Sequence, residues 1–172
     1  MLKCYNTFDR RVQANLLYHS FPMKTALFLC TGNTCRSPMA ESIARYVIEQ
    51  GSMEGLSKDI FVASAGLSAG DGLPISRETR LSLEKLSLKH DGHSKRVTAA
   101  MIRKANVTFV MTESHLLAAQ RLVDHDESQD RIVLLDPKGD IEDPIGKGQT
   151  AYDSLSVRFM KVIPKQLVEY LK

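Results

Sequence analysis

Apolar positions along the chain fall into two recurring patterns: short unbroken apolar runs, and longer stretches with apolar residues three or four apart. The first run, residues 25–30 (TALFLC), ends in a turn and suits a strand buried on both faces. Residues 38–50 follow, with Met39, Ile43, Val47 and Gln50 at helical spacing and Pro38 where a helix start tolerates proline. A second strand is predicted over 60–64, closed by Ala65 and Gly66. Leu81, Leu83, Leu86 and Leu88 among charges predict a helix over 76–88. The pattern then predicts a short helix over 98–104, a third strand over 106–111, a helix over 114–123 capped by Ser114, and a fourth strand over 131–135. Residues 136–150, rich in Gly, Pro and Asp, read as a long loop, and 151–171 as a helix kinked at Pro164.

Strands separated by helices need crossover connections. The expected fold is therefore α/β: a single three-layer domain with a four-stranded parallel sheet and helices on both faces. Ligands in such folds bind beyond the carboxyl ends of the strands, where helices begin. Residues 1–22 differ from this. They hold scattered aromatics (Tyr5, Phe8, Tyr18, Phe21) and the pair Arg10-Arg11, without sustained periodicity. The run Leu16-Leu17-Tyr18 is too short for a secretory signal. Residues 1–22 are expected to be a dispensable extension or an upstream start, with the domain running over 23–172.

Composition changes this picture little. The hydrophobic fraction of 43% and charged fraction of 25% are ordinary for a soluble domain. The net charge of +3, with both signs mixed along the chain, provides no field for nucleic acid, and no apolar run is long enough to span a bilayer. Cysteine occurs at Cys4, Cys30 and Cys35 and nowhere later. That odd number makes a poor disulfide framework and fits a reducing, cytoplasmic compartment.

The candidate chemistry lies between the first predicted strand and its helix, in Cys30-Thr31-Gly32-Asn33-Thr34-Cys35-Arg36-Ser37. A loop of this length can turn successive backbone N–H groups toward one phosphate while the following helix presents its positive end. Gly32 is expected to allow the tight curvature and Asn33 to tolerate a left-handed conformation. Arg36 can hold two phosphoryl oxygens through its planar fork. The same positive environment favours an ionised Cys30 as nucleophile, and Ser37 can donate to that sulfur. The loop lacks the G-K-[ST] ending of a Walker A motif, and Cys30 and Cys35 have no second ligand pair for zinc. No metal or cofactor is expected.

The run from Leu29 to Glu41 (LCTGNTCRSPMAE) resembles the signature of the low-molecular-weight protein tyrosine phosphatase family. The similarity continues in Ala63-Ser64-Ala65-Gly66, in Gly92-His93 with Arg96-Val97-Thr98, in Val110 to Ser114, and in Glu142-Asp143-Pro144. This resemblance implies a phosphocysteine mechanism with Cys30 as nucleophile, Arg36 as clamp and Asp143 as general acid. An Asp-Pro pair in a loop is by itself only a turn signal, so the role of Asp143 comes from the resemblance and from its company. Asn33, Ser37, Ser64 and His93 match a hydrogen-bond network that stiffens the loop in the family. Cys35 is placed to form a reversible disulfide with Cys30, or is simply a small buried residue.

Tyrosine-specific members usually carry an aliphatic residue where this chain has Thr34, and aromatic rings where it has Gly70 and Ile145. Thr34 resembles the protein arginine phosphatase branch. Phosphorylated proteins are the expected substrates, phosphoarginine ahead of phosphotyrosine, for a monomeric enzyme. An arsenate reductase would need a further cysteine after Cys35. A module that only binds phosphate would be expected to have lost the thiol, the arginine or the acid.

Overall fold

In the computed structural model of the chain, residues 23–51, 53–124 and 127–172 are described. The segment 1–22, and with it Cys4 and the expectation of a dispensable extension, lies outside them. β1 (Lys24–Cys30) pairs in parallel with β2 (Ile60–Gly66) on one side and β3 (Val107–Val110) on the other, and β4 (Ile132–Leu134) adds beyond β3. The strand order is β2-β1-β3-β4.

Alternation along β1 divides the core in two. Ala26, Phe28 and Cys30 point to one face, packed with α1 (Arg36–Gln50) and α5 (Gln149–Leu171). Leu27 and Leu29 point to the other, with Ile102 of α3 (Ala99–Lys104) and Ala119 of α4 (Glu113–Leu122). The remaining helix, α2 (Arg77–Lys85), sends Leu83 into the first of these clusters. Because a period of two places neighbouring residues on opposite faces, Cys30 emerges at the strand's carboxyl end on the α1 side. Successive crossovers leave β1 in opposite directions, so the loop after β1 lies at a topological switch point.

Several helix ends and caps differ from the sequence expectations. α2 ends at Lys85 instead of residue 88, because Ser87 takes a left-handed φ of 59° and Leu88 turns back to donate to Leu83 O. α4 is capped by Thr112, whose side chain accepts from the His115 backbone N–H, and not by Ser114. α5 starts two residues early and, as expected, runs on through Pro164. Its buried face (Tyr152, Leu155, Phe159, Ile163, Leu167, Leu171) repeats at helical spacing across that proline. No helix among the described residues is long and apolar enough to cross a membrane.

Candidate active site

The loop from Cys30 to Arg36 is held by its own side chains and by two distant segments. Asn33 carries the strained conformation, with φ of 54°, and its amide is used completely. Its Nδ2 donates to Ser37 Oγ at 2.9 Å and to Ser64 Oγ at 2.8 Å, while its Oδ1 accepts from the Lys95 backbone N–H at 3.0 Å. Ser64 in turn donates to Glu41 Oε2, and Glu41 Oε1 accepts from Arg45. Asn33, Ser37, Ser64 and Glu41 are all buried. A network with every member satisfied, in a low-dielectric site, holds one geometry firmly.

At the centre, Cys30 Sγ lies 3.0 Å from Ser37 Oγ and accepts from the Asn33 N–H at 3.3 Å. α1 starts immediately after the loop at Arg36, with Cys35 as its N-cap, no side-chain cap and no acidic residue in its first turn. Its positive end is therefore left for an external anion. Arg36 is buried. Its Nη1 donates to Ile141 O at 3.2 Å, and its Nη2 to Asp143 Oδ2 at 2.5 Å and to Thr31 Oγ1 at 3.4 Å. Arg36 Nε, also buried, finds no acceptor among the described residues.

Asp143 reaches the loop because its own segment is stitched to β3. The Leu135 N–H bonds to Val110 O and the Ile141 N–H to Met111 O. The other carboxylate oxygen of Asp143 accepts from the Ile145 N–H at 3.1 Å, which fixes its orientation. A cavity of about 320 Å³ lies beside it, lined by residues that include Glu142, Pro144, Lys147 and Arg158 and by no aromatic ring.

Cys30, Arg36, Asp143, Asn33, Ser37 and Ser64 thus converge, as do Thr31, Gly32, Thr34 and Cys35 within the loop. Both Cys30 and Cys35 are free thiols. The Cys35 sulfur is within 3.6 Å of Thr34 Oγ1 and Tyr152 OH and donates to Ser76 Oγ.

Two expectations are corrected. His93 is exposed and makes no hydrogen bond to the loop. The Lys95 backbone stands where the histidine was expected, and the histidine near the network is His90, bonded through Nδ1 to Ser42 Oγ at 3.0 Å. Burial lowers the pKa of His90 and the nearby Glu41 charge opposes that shift. The middle segment packs through its backbone, which side-chain identity does not announce. Gly32, second, was expected to allow the tight curvature, yet its φ is not left-handed and a Cβ there would meet only Thr34 Oγ1 at 3.7 Å, an ordinary contact.

The glycine the loop cannot do without is Gly66. An added Cβ would lie 2.6 Å from Thr31 O and 2.9 Å from Asn33 N. Gly70 and Ile145 are both on the surface, Ile145 at 63% exposure.

Sequence reasoning also missed His115. It is buried, with Nε2 2.9 Å from Thr31 Oγ1 and Nδ1 2.9 Å from Thr112 Oγ1. Burial first, and then the Arg36 charge, bring its pKa down to about 4. The only signal for it was its place three residues after Thr112, which is too generic to single it out.

Comparison with known proteins places this geometry among relatives. The family model described as low molecular weight phosphotyrosine protein phosphatase matches residues 25–172. A protein-arginine-phosphatase of Bacillus subtilis (strain 168) is 31% identical over 156 residues, 85% of this chain and 95% of the relative. The low molecular weight protein-tyrosine-phosphatase PtpB of Staphylococcus haemolyticus is 32% identical over 142 residues, 80% of this chain and 94% of the relative. Among solved structures, a mutant of the YwlE arginine phosphatase with a phosphorylated active site serine aligns at a TM-score of 0.72 and 25% identity, covering 84% of this chain and 96% of that one.

Proposed function

The chain belongs to the low molecular weight phosphotyrosine protein phosphatase family, and from that premise we propose that it hydrolyses phosphoarginine in proteins through a phosphocysteine formed on Cys30. The observation that carries the phosphatase reading is the convergence of the Cys30 sulfur, the capless start of α1 and the Arg36–Asp143 pair on one loop. The buried Arg36 Nε, without a protein acceptor, is a donor that a phosphoryl oxygen would satisfy.

The Cys30 thiolate attacks phosphorus, so an S–P bond forms as the bond from phosphorus to the side-chain nitrogen breaks. Asp143 gives its proton to the departing guanidine. In the second step Asp143 takes a proton from water, whose oxygen attacks phosphorus; the S–P bond breaks and inorganic phosphate leaves. Arg36 and the loop N–H groups stabilise the equatorial oxygens in both steps. Before substrate enters, Arg36 and Asp143 hold each other at 2.5 Å. A phosphoryl group competes for the guanidinium and releases the carboxyl toward the leaving group. Ser37 Oγ, 3.0 Å from the sulfur, can turn its proton from Ala65 O to the thiolate, and the Asn33–Ser64–Glu41 chain keeps the loop from relaxing between steps.

Relatives of both substrate classes, at 31% and 32% identity, leave the choice of side chain to the residues around the loop. Thr34 brings a half-buried hydroxyl to the loop, a hydrogen-bond partner for a guanidinium and a poor surface for a phenyl ring. The positions where tyrosine-specific members usually carry aromatic rings hold Gly70 and Ile145, and a phenyl ring gains most from such walls. The test is a comparison of hydrolysis rates on phosphoarginine and phosphotyrosine peptides. The parent should prefer phosphoarginine, Thr34→Ile should move preference toward phosphotyrosine, and Cys30→Ser should abolish both. Equal or reversed preference in the parent would refute the arginine reading, and Cys30-independent turnover would refute the mechanism.

A further inference from the structure

His115 is 7% exposed and sits in the first turn of α4, yet both its ring nitrogens are occupied. Nδ1 faces Thr112 Oγ1 at 2.9 Å, and Nε2 faces Thr31 Oγ1 at the same distance. Thr31 Oγ1 is also the acceptor for Arg36 Nη2 at 3.4 Å, the nitrogen that holds Asp143. A guanidinium only donates, so the Thr31 oxygen must accept there, and its single proton is available for His115 Nε2. With Nε2 accepting, Nδ1 carries the ring proton and gives it to Thr112, whose own hydroxyl is 2.9 Å from Ser114 Oγ. Every donor then meets an acceptor in one direction, from Arg36 through Thr31 and His115 to the cap of α4. Burial and the Arg36 charge keep the ring neutral down to a pKa of about 4, as this assignment requires.

We propose that His115 is a positioning residue for phosphoryl transfer, which orients the Thr31 hydroxyl and through it holds the Arg36 fork in the register that meets both Asp143 and a phosphoryl group. The Arg36 Nη1 bond to Ile141 O limits the fork on one side only. Thr31 and His115 restrain the other, and they link the loop after β1 to the helix after β3 across the switch point. The inference rests on the reading of this loop as a phosphoryl site.

The experiment compares the parent with His115→Leu, His115→Gln, Thr31→Val and the Leu/Val double variant. It records kcat, KM, competitive inhibition by inorganic phosphate, and Tm. His115→Leu and Thr31→Val should each lower kcat/KM about tenfold and weaken phosphate inhibition, because a misplaced guanidinium grips the anion poorly. The double variant should be no worse than the poorer single one, since both break one chain. His115→Gln, whose amide oxygen can accept from Thr31, should recover most of the loss.

Additive losses, a glutamine variant no better than leucine, or a fall in Tm with kcat and phosphate inhibition unchanged would overturn the assignment. If His115→Leu does not fold, Thr31→Val at the exposed loop surface carries the same prediction. A parent without Cys30-dependent turnover would instead defeat the phosphatase reading itself.

Discussion

Gly66→Ala is the smallest change that should separate the loop's shape from its chemistry. The change alters none of the reacting side chains, yet the added methyl group would lie 2.6 Å from Thr31 O, 2.8 Å from Ala69 Cβ and 2.9 Å from Asn33 N. Ordinary carbon contacts begin near 3.4 Å, so the loop backbone must retreat by about 0.8 Å from Thr31 O alone. Two of these neighbours are backbone atoms of the phosphate loop, which cannot rotate away as a flexible side chain would. Overpacking of this kind costs about 1–3 kcal/mol.

The loop's other ties resist the shift. Asn33 is bonded to Ser37, Ser64 and Lys95, and the Gly66 N–H and C=O are bonded to Lys95 and Val97. The displacement should therefore appear in the positions of the Asn33 N–H and the Cys30 sulfur. A misplacement near 1 Å lowers turnover by about 100-fold. The assay is steady-state hydrolysis of an aryl phosphate alongside thermal unfolding. A loss of kcat/KM near 100-fold with the variant still folded at the assay temperature is expected. A folded variant with kcat/KM within twofold of the parent would show that the close packing of β2 against the loop does not set its geometry.

Two further outcomes follow from the same geometry. Asp143→Asn should lower kcat by about 10²–10⁴-fold on substrates with poor leaving groups and far less on a nitrophenyl phosphate, whose leaving group needs little protonation; an equal loss on both would argue against general acid catalysis. Stability should fall as the medium is acidified from about pH 6.5 toward pH 4, because unfolded His115 binds a proton in that window while the folded ring, with its pKa near 4, does not. The slope from one such group is at most about 1.4 kcal/mol per pH unit. Half-buried His90 titrates in the same direction, so the measurement is the difference in chemical denaturation between parent and His115→Gln, and identical pH profiles would refute it.

Much of this molecule was legible from short stretches of sequence. The unbroken apolar run before Cys30, the helical spacing after Arg36 and the C-x5-R interval between them are local facts. A strand feeding a helix through such a loop has few other ways to satisfy its backbone groups. Asn33 was readable for the same reason, because its left-handed conformation is set within the loop itself. Tertiary structure decided the rest. Thr31 meets His115 across 84 residues, Asn33 meets the Lys95 backbone across 62, and Arg36 meets Asp143 across 107. The exposure of His93, the nearness of His90 to the network, the cap at Thr112 and the intolerance at Gly66 all depend on which segments the parallel sheet sets side by side. Such contacts form between backbone atoms and between side chains far apart in the chain, so no local pattern of residue types encodes them.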